Sequence, residues 1–301
     1  MAARSYCSAL LLSLGLTACS AGGPLPVAGL PAPSGELAVS RWDAEEPKAI
    51  LLAVHGYGDY GESTFADAGA WWAARGLTTI AYDQRGFGRN ASRGFWPGAD
   101  QLVADLRGIT EAVRSETPCL PLIVIGHSMG GGVVLAAAPD LAADAVVLAA
   151  PAIWGGDDLN PLHRLLAWSA ASLVPDRRFT GEGVVRIQAS DNIEALRELG
   201  RDPLYLRRPS AREIFGLVRV TDRAAEASAE VDLPALLLLG ARDEIVPNAT
   251  VERIFGRLHG PREVIRYEEG WHLLFRDLQA ERVWRDVADW ALAQDPPTCA
   301  E

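Results

Sequence analysis

Short, unbroken apolar runs alternate along most of the chain with longer segments in which apolar residues recur at helical spacing. The runs are shorter than a typical helix, and several are rich in β-branched residues, which is typical of strands buried on both faces. They cover residues 49–54, 77–82, 122–125, 145–150, 236–239 and 264–267, and a weaker alternating segment covers 37–42. We therefore expect a sheet built mainly from parallel strands.

The intervening segments predict helices that connect these strands. In residues 100–115, the apolar positions Leu102, Leu106 and Ile109 share one helical face, and Asp100 is placed to cap the helix. Further helices are expected directly after residue 128 and at 65–75, 251–258 and 274–293. Strands that alternate with helices predict an α/β fold with a mostly parallel, doubly wound sheet.

Residues 153–231 break this alternation. They contain no convincing strand, and their short helical patches are interrupted by Pro161, Pro175, Pro203 and Pro209. Because the segment lies between two core strands, it must leave the sheet and return. We expect a helical cap over the carboxyl edge of the sheet, inserted before the penultimate strand, with residues 36–152 and 232–295 forming the core.

Residues 126–130 read Gly-His-Ser-Met-Gly and lie between the apolar run at 122–125 and a small-residue helical segment. A Gly-x-Ser-x-Gly pattern between a strand and a helix predicts a sharp turn that exposes the serine hydroxyl at the edge of a sheet. The flanking glycines let the neighbouring backbone approach closely. Ser128 is therefore the candidate nucleophile, and His127 is expected to brace the turn.

A serine nucleophile needs a base and an acid that orients the base. His272 follows the last predicted strand, and Asp243 follows the strand before it. Because the carboxyl ends of parallel strands meet at one edge of the sheet, we expect both side chains to reach Ser128. Glu244 is adjacent to Asp243, so the sequence leaves open which of the two is the acid.

The chain resembles the α/β-hydrolase superfamily from about residue 36 to residue 293, and within it the group of monoacylglycerol lipases, lysophospholipases and serine-aminopeptidase-like hydrolases. The resemblance rests on His-Gly-Tyr-Gly-Asp at 55–59, Asp-Gln-Arg-Gly-Phe-Gly-Arg at 83–89, Gly-His-Ser-Met-Gly-Gly at 126–131, Gly-Ala-Arg-Asp at 240–243 and Gly-Trp-His at 270–272. It implies that the backbone N–H groups of Tyr57 and Met129 form the oxyanion hole.

These features predict a serine hydrolase that cleaves carboxylic esters without a metal or cofactor. By family analogy the substrate is a lipid monoester, such as a monoglyceride or a lysophospholipid. A small-ester esterase, a serine aminopeptidase and a catalytically idle binding scaffold are the alternatives. The peptidase would need carboxylates for a free amino group, and Asp157, Asp158 and Glu182 of the cap leave that open. Four tryptophans are candidates for lining an acyl pocket: Trp96, Trp154, Trp168 and Trp271.

The amino terminus has the features of a signal peptide. Arg4 precedes a short apolar segment, and residues 16–19, Leu-Thr-Ala-Cys, resemble the bacterial lipoprotein box. This predicts a signal over residues 1–18, an acylated Cys19 and a flexible tether over 19–35. An ordinary secretory signal is the alternative. Because Ser20 follows the cysteine, the family rule implies an anchor in the outer membrane, facing the periplasm.

The net charge of −11 argues against binding to nucleic acid or to anionic lipid through charge alone. Two of the four cysteines remain after the signal and the anchor are assigned, namely Cys119 and Cys299. Both are expected at the end of the sheet away from the active site, in an oxidising compartment. A disulfide between them is a hypothesis that the sequence leaves open.

Overall fold

The predicted strands lie side by side in one sheet. A computed structural model of the chain describes residues 27–32, 35–154, 160–179 and 187–297. Its strands are β1 (Val27–Ala32), β2 (Gly35–Trp42), β3 (Ala49–Val54), β4 (Leu77–Tyr82), β5 (Leu122–His127), β6 (Ala145–Ala149), β7 (Ala235–Gly240) and β8 (Arg262–Tyr267). Their order in the sheet is β1-β2-β4-β3-β5-β6-β7-β8. The pairs β1–β2 and β2–β4 are antiparallel, and the other neighbouring strands are parallel.

Helices cover both faces of this sheet. They are α1 (Gly61–Ala73), α2 (Ala99–Glu116), α3 (Met129–Ala137), α4 (Pro161–Leu173), α5 (Ile193–Arg201), α6 (Ala211–Ala227), α7 (Asn248–Phe255) and α8 (Ala280–Leu292). Successive residues of β5 point to opposite faces, so Val124 packs in the layer that holds α2 and α3, whereas Ile125 packs with α1 and α8. Both apolar layers are thus closed off from water, as a doubly wound sheet requires.

Two predicted helix starts differ from the structure. The last helix begins at Ala280 and not at residue 274, because Arg276 and Asp277 form turns whose backbone N–H groups donate to the Leu273 carbonyl. The N-cap position of α2 is Gly98, so Asp100 lies inside the first turn and pairs with Arg223. Asp100 therefore does not cap this helix, and the prediction that it does was wrong.

The edge of the sheet also departs from the prediction. Residues 19–35 were expected to form a flexible tether, yet Val27–Ala32 is a strand that pairs antiparallel with β2. An exposed edge strand leaves a row of backbone groups unpaired, and β1 satisfies that row along β2. Within the predicted tether, the segment from Val27 to Ala32 therefore belongs to the sheet.

In the described parts of the chain between β6 and β7 there are three α-helices, α4 to α6. Each begins with a side-chain cap, from Asn160, Asn192 and Ser210 respectively, and at Ser210 the side chain of Glu213 completes a capping box. The expected mostly parallel sheet with a helical cap before the penultimate strand is confirmed. In the described part of the chain, no helix is both long and apolar enough to span a membrane.

Candidate active site

Ser128 occupies the sharp turn between β5 and α3. Its backbone angles are φ 53° and ψ −119°, a conformation that residues with a Cβ rarely adopt. A Cβ on Gly130 would lie 2.2 Å from the Val54 carbonyl oxygen, and one on Gly126 would lie 2.6 Å from the Gly130 oxygen. The two glycines of the motif are thus required by close backbone contact.

Main-chain hydrogen bonds hold this turn in place. The N–H of Ser128 donates to the Ala149 carbonyl at 3.0 Å, and the Ser128 carbonyl accepts from Ala152 at 2.8 Å and from Gly132 at 3.2 Å. All of these bonds join backbone atoms. The position of the serine is therefore set by the backbone of β6 and α3 and does not depend on its own side chain.

His272 and Asp243 reach Ser128 from the loops that follow β8 and β7. Nε2 of His272 lies 2.9 Å from the Ser128 hydroxyl oxygen, and Nδ1 lies 2.8 Å from Oδ2 of Asp243. A carboxylate can only accept, so Nδ1 carries the proton and Nε2 is free to accept the hydroxyl proton. The structure thus brings the three predicted side chains into one hydrogen-bonded row.

The Asp243 carboxylate is completely shielded from solvent, while the imidazole of His272 is 6% exposed. Burial by itself would raise the pKa of Asp243. The hydrogen bond and charge of His272, with backbone N–H groups of Val246 and Ile245, instead hold that pKa below its usual range. The group facing the imidazole is therefore an anion at neutral pH. The neighbouring Glu244 points elsewhere and accepts the backbone N–H of Gln188 at 2.8 Å.

Two further histidines support the turn. Nε2 of His127 lies 2.9 Å from the backbone carbonyl of His272, to which it donates, and the two rings are 5.2 Å apart. Burial, followed by the charge of His272, lowers the pKa of His127 to about 4. His55 accepts the backbone N–H of Gln84 through Nε2 and donates from Nδ1 to the Gly56 carbonyl. Both side chains therefore brace backbone around Ser128.

Tyr57 and Met129 carry the two backbone N–H groups that are predicted to form the oxyanion hole. Both line the same cavity as Ser128. Gly56, which precedes Tyr57, lies so close to the serine that a Cβ on it would be 3.2 Å from the Ser128 Cβ. Met129 is the first residue of α3, so its N–H has no partner within the helix and lies at the positive end of the helix dipole.

The cavity around Ser128, called here the Ser128 cavity, has a volume of about 570 Å³. Its lining is mostly apolar and comes largely from the cap, including Leu196 and Leu199 of α5 and Ile214, Leu217 and Val218 of α6. On α6 these apolar residues, followed by Thr221, keep helical spacing. That spacing was visible in the sequence and was the signal that the tryptophan-based prediction overlooked.

Of the four predicted pocket tryptophans, Trp154 lines the Ser128 cavity. Trp96 instead packs in the core between Phe87 and Gly216, and Trp168 is 53% exposed on α4. Trp271 is fixed by its backbone N–H, which donates to Asp277 at 2.7 Å. We therefore assign only Trp154 to the cavity.

The remaining predicted residues fall partly outside the described ranges. Cys119 is disulfide-bonded. Cys19 and Cys299 lie outside the described residues, as do Asp157, Asp158 and Glu182, so the pairing with Cys299 and the lipid anchor stay predictions. Among the described residues, no cluster of histidine, cysteine or acidic side chains is placed to hold a metal ion.

Comparison with known proteins bears on this site. The family model described as serine aminopeptidase, S33, matches residues 45–279. The chain belongs to this hydrolase family. The matched range includes all three side chains of the row and the whole segment 153–231 that was predicted as the cap.

Within and around the family, named relatives are distant. A monoacylglycerol lipase of Mycolicibacterium smegmatis is 27% identical over 257 residues, covering 82% of this chain and 89% of the relative. The human monoglyceride lipase is 22% identical and covers 81% of this chain and 82% of its own. These similarities mark the chain as a member of a lipase- and esterase-like group of serine hydrolases.

Solved structures agree with the fold. A monoacylglycerol lipase of Paleococcus ferrophilus superposes with a TM-score of 0.72 at 21% identity, covering 86% of this chain and 100% of its own. A soluble variant of the Saccharomyces cerevisiae monoglyceride lipase gives a TM-score of 0.75 at 19% identity, covering 90% and 96%. The predicted α/β-hydrolase fold is confirmed.

Proposed function

We propose that this protein is a serine hydrolase that cleaves lipid monoesters, with an activity like that of a monoacylglycerol lipase or lysophospholipase. The single observation that carries the proposal is the hydrogen-bonded row from Asp243 through His272 to Ser128, opening into an apolar cavity. An alcohol in such a row becomes nucleophilic because its proton has a neighbouring acceptor.

In the proposed mechanism, Ser128 Oγ attacks the acyl carbon while His272 Nε2 takes the hydroxyl proton. Asp243 holds the imidazole by its Nδ1–H and stabilises the imidazolium that forms. His272 then gives its proton to the leaving alcohol, and an acyl-enzyme remains. Water, activated by the same imidazole, attacks the acyl-enzyme, and the carboxylic acid is released.

The developing oxyanion would be held by the backbone N–H groups of Tyr57 and Met129. Each such donor typically contributes about 2.7–4 kcal/mol of transition-state stabilisation. The N-terminal position of Met129 in α3 supports its share of this role, since the helix dipole favours negative charge there.

The lining of the cavity favours an ester with an apolar acyl group over a peptide. Among the described lining residues, Asp59 is the one carboxylate, and it is paired with Arg276 at 3.3 Å. It is thus not free to bind a substrate ammonium. Rates with an acyl glycerol, a short p-nitrophenyl ester and an aminoacyl amide test this choice. A preference for the aminoacyl amide would replace the lipase proposal with a peptidase.

A fluorophosphonate probe tests the nucleophile directly. Wild type and Ser172→Ala, which alters an exposed serine of α4, should be labelled equally, and Ser128→Ala should not be labelled. Absence of labelling in all three proteins would favour a catalytically idle scaffold.

We further propose that Cys19 carries the lipid that anchors the protein in the outer membrane, facing the periplasm. The support is the amino-terminal sequence alone. Metabolic labelling with a palmitate analogue should mark the wild-type protein, and Cys19→Ser should abolish the label and release the protein from membranes. An unlabelled wild type would point to the ordinary secretory signal.

A further inference from the structure

Among the described residues, Arg207 is the one lysine or arginine that lines the Ser128 cavity, and it lies at an exposed position. Its Nη2 donates to two backbone carbonyls near the end of α5, those of Leu199 at 3.1 Å and Asp202 at 3.0 Å. These bonds fix the guanidinium and still leave donors on Nε and Nη1. Neither atom donates to any described residue, and no described carboxylate pairs with this arginine.

Several other arginines of the cap have carboxylate partners among the described residues. Arg164 pairs with Asp222, Arg178 with Glu213, and Arg212 with Asp176. Asp59, the carboxylate of the cavity lining, is already paired with Arg276. The positive charge of Arg207 is therefore not neutralised by the described groups that line the cavity.

The segment that carries Arg207 is hydrogen-bonded to residues 57–59, called here the oxyanion loop because it contains Tyr57. The backbone N–H of Leu206 donates to the Gly58 carbonyl at 2.8 Å, and a Cβ on Gly58 would lie 2.5 Å from the Leu206 oxygen. Leu206 packs against the hydrophobic core, whereas Tyr205 and Arg207 on either side line the cavity. The two polar side chains thus lie on the part of the cavity wall that adjoins residues 57–59.

Tyr205 adds a second donor beside the guanidinium. Burial and the charge of Asp59 raise the pKa of its phenol to about 12, against the opposing charges of Arg276 and Arg207. The hydroxyl is therefore protonated at neutral pH. A planar guanidinium with a nearby hydroxyl donor suits the oxygens of a phosphate or a carboxylate.

We propose that Arg207 and Tyr205 bind an anionic group on the alcohol portion of the substrate, so that the preferred ester carries a negative charge, as in an acyl glycerol phosphate. The apolar wall of α6, with Ile214, Leu217 and Val218, receives the acyl chain, and the alcohol then lies on the side of the oxyanion loop. The proposal names the substrate class for the ester hydrolysis proposed above and rests on it.

Binding of uncleavable ether lipids tests the anion site without any hydrolysis. In Ser128→Ala, the octyl ether of glycerol phosphate should bind about five- to tenfold more tightly than the uncharged octyl ether of glycerol. Tryptophan fluorescence reports binding, since Trp154 lines the cavity. The octyl ether of glyceric acid carries a carboxylate in place of the phosphate, and its affinity decides which anion the site prefers.

Substitutions assign the preference to its residues. Adding Arg207→Gln should make the charged and uncharged ethers bind equally, and Tyr205→Phe should reduce the difference. Arg208→Gln is the matched control, because Arg208 is exposed, adjacent and outside the cavity lining. Equal affinities of Ser128→Ala for the charged and uncharged ethers would overturn the proposal. A preference for the charged ether that remains after Arg207→Gln is added would also overturn it.

Kinetics separate this proposal from the proposed function. With octanoyl glycerol phosphate, Arg207→Gln should raise KM about five- to tenfold, whereas the control Arg208→Gln should leave KM and kcat unchanged. The shift in KM should shrink at high salt. An intact binding preference in a protein that hydrolyses no ester would support the anion site and refute the hydrolase. Hydrolysis with no dependence on Arg207 would do the reverse.

Discussion

The turn from β5 into α3 and the cap helix α4 are both rich in apolar residues, yet they have opposite environments. All of β5 is buried, as are eight of the nine residues of α3, whereas α4 has no buried residue, and Leu165, Leu166 and Leu173 are more than half exposed. The turn is packed by elements on both sides, while α4 packs against α6 alone among the larger element contacts. Apolar composition therefore does not determine burial; the number of packed neighbours does.

The same contrast separates two parts of the site. The core supplies the reacting row through backbone geometry at the ends of β5, β7 and β8. The cap supplies much of the apolar cavity wall through side chains of α5, α6 and the segment between them. Substitutions in the core should thus affect chemistry and stability, and substitutions in the cap should affect recognition.

The largest difference is expected between two adjacent carboxylates. Asp243→Asn should lower kcat about 10⁴-fold, because an amide neither stabilises the imidazolium nor fixes its tautomer. Glu244→Gln alters an exposed residue that contacts the cap and should leave kcat nearly unchanged. Steady-state kinetics with a p-nitrophenyl ester measures both. A large loss in Glu244→Gln alone would assign the acid to that residue.

Truncating one leucine in each region tests the difference in packing. Leu237→Ala in β7 should lower the free energy of unfolding by about 2–5 kcal/mol, since the side chain is fully buried. Leu166→Ala in α4 removes a side chain that is 57% exposed and should change it by less than about 0.5 kcal/mol. Urea denaturation gives both values. Comparable losses would mean that α4 is covered in solution.

A pH comparison uses one histidine from each region. Burial lowers the pKa of His127 in the folded protein to about 4. Between pH 6.5 and 4, His127 is therefore protonated in the unfolded chain and neutral in the folded protein. The corresponding stability is fully present above pH 6.5, and about 3 kcal/mol of it is lost as the pH falls to 4. His127→Phe should lose less stability than wild type between pH 7 and 4.5. His163→Phe, which alters an exposed residue of α4, should lose as much as wild type does.

The smallest effects come from adding a methyl group to one glycine in each region. Gly130→Ala places a Cβ 2.2 Å from the Val54 carbonyl and should destabilise the protein by about 1–3 kcal/mol. On Gly200 in α5 a Cβ meets no atom within 4 Å, so Gly200→Ala should stabilise the protein by about 0.5–1 kcal/mol. Thermal unfolding of both variants checks that one is destabilised and the other stabilised. A destabilised Gly200→Ala would contradict the free space around position 200.

The difference between core and cap also explains what the sequence could predict. Apolar runs such as 122–125 and motif spacing around Ser128 are local signals, and strand order then brings His272 and Asp243 to the same edge. The helical spacing of Ile214, Leu217 and Val218 is also a local signal, but which face of α6 meets the cavity depends on packing between helices, which a single sequence does not encode. Trp96, Trp168 and Trp271 do not line the cavity as predicted, and Arg207 was not among the predicted site residues.

The main-chain bonds at residue 128 have a consequence for altering the protein. Ala149, Ala152 and Gly132 hydrogen-bond only to the backbone of residue 128. Replacing the hydroxyl by a group of similar size therefore leaves these three bonds in place. A thiol could replace the alcohol at this position while the turn keeps its backbone conformation, so the same fold could carry a different nucleophile.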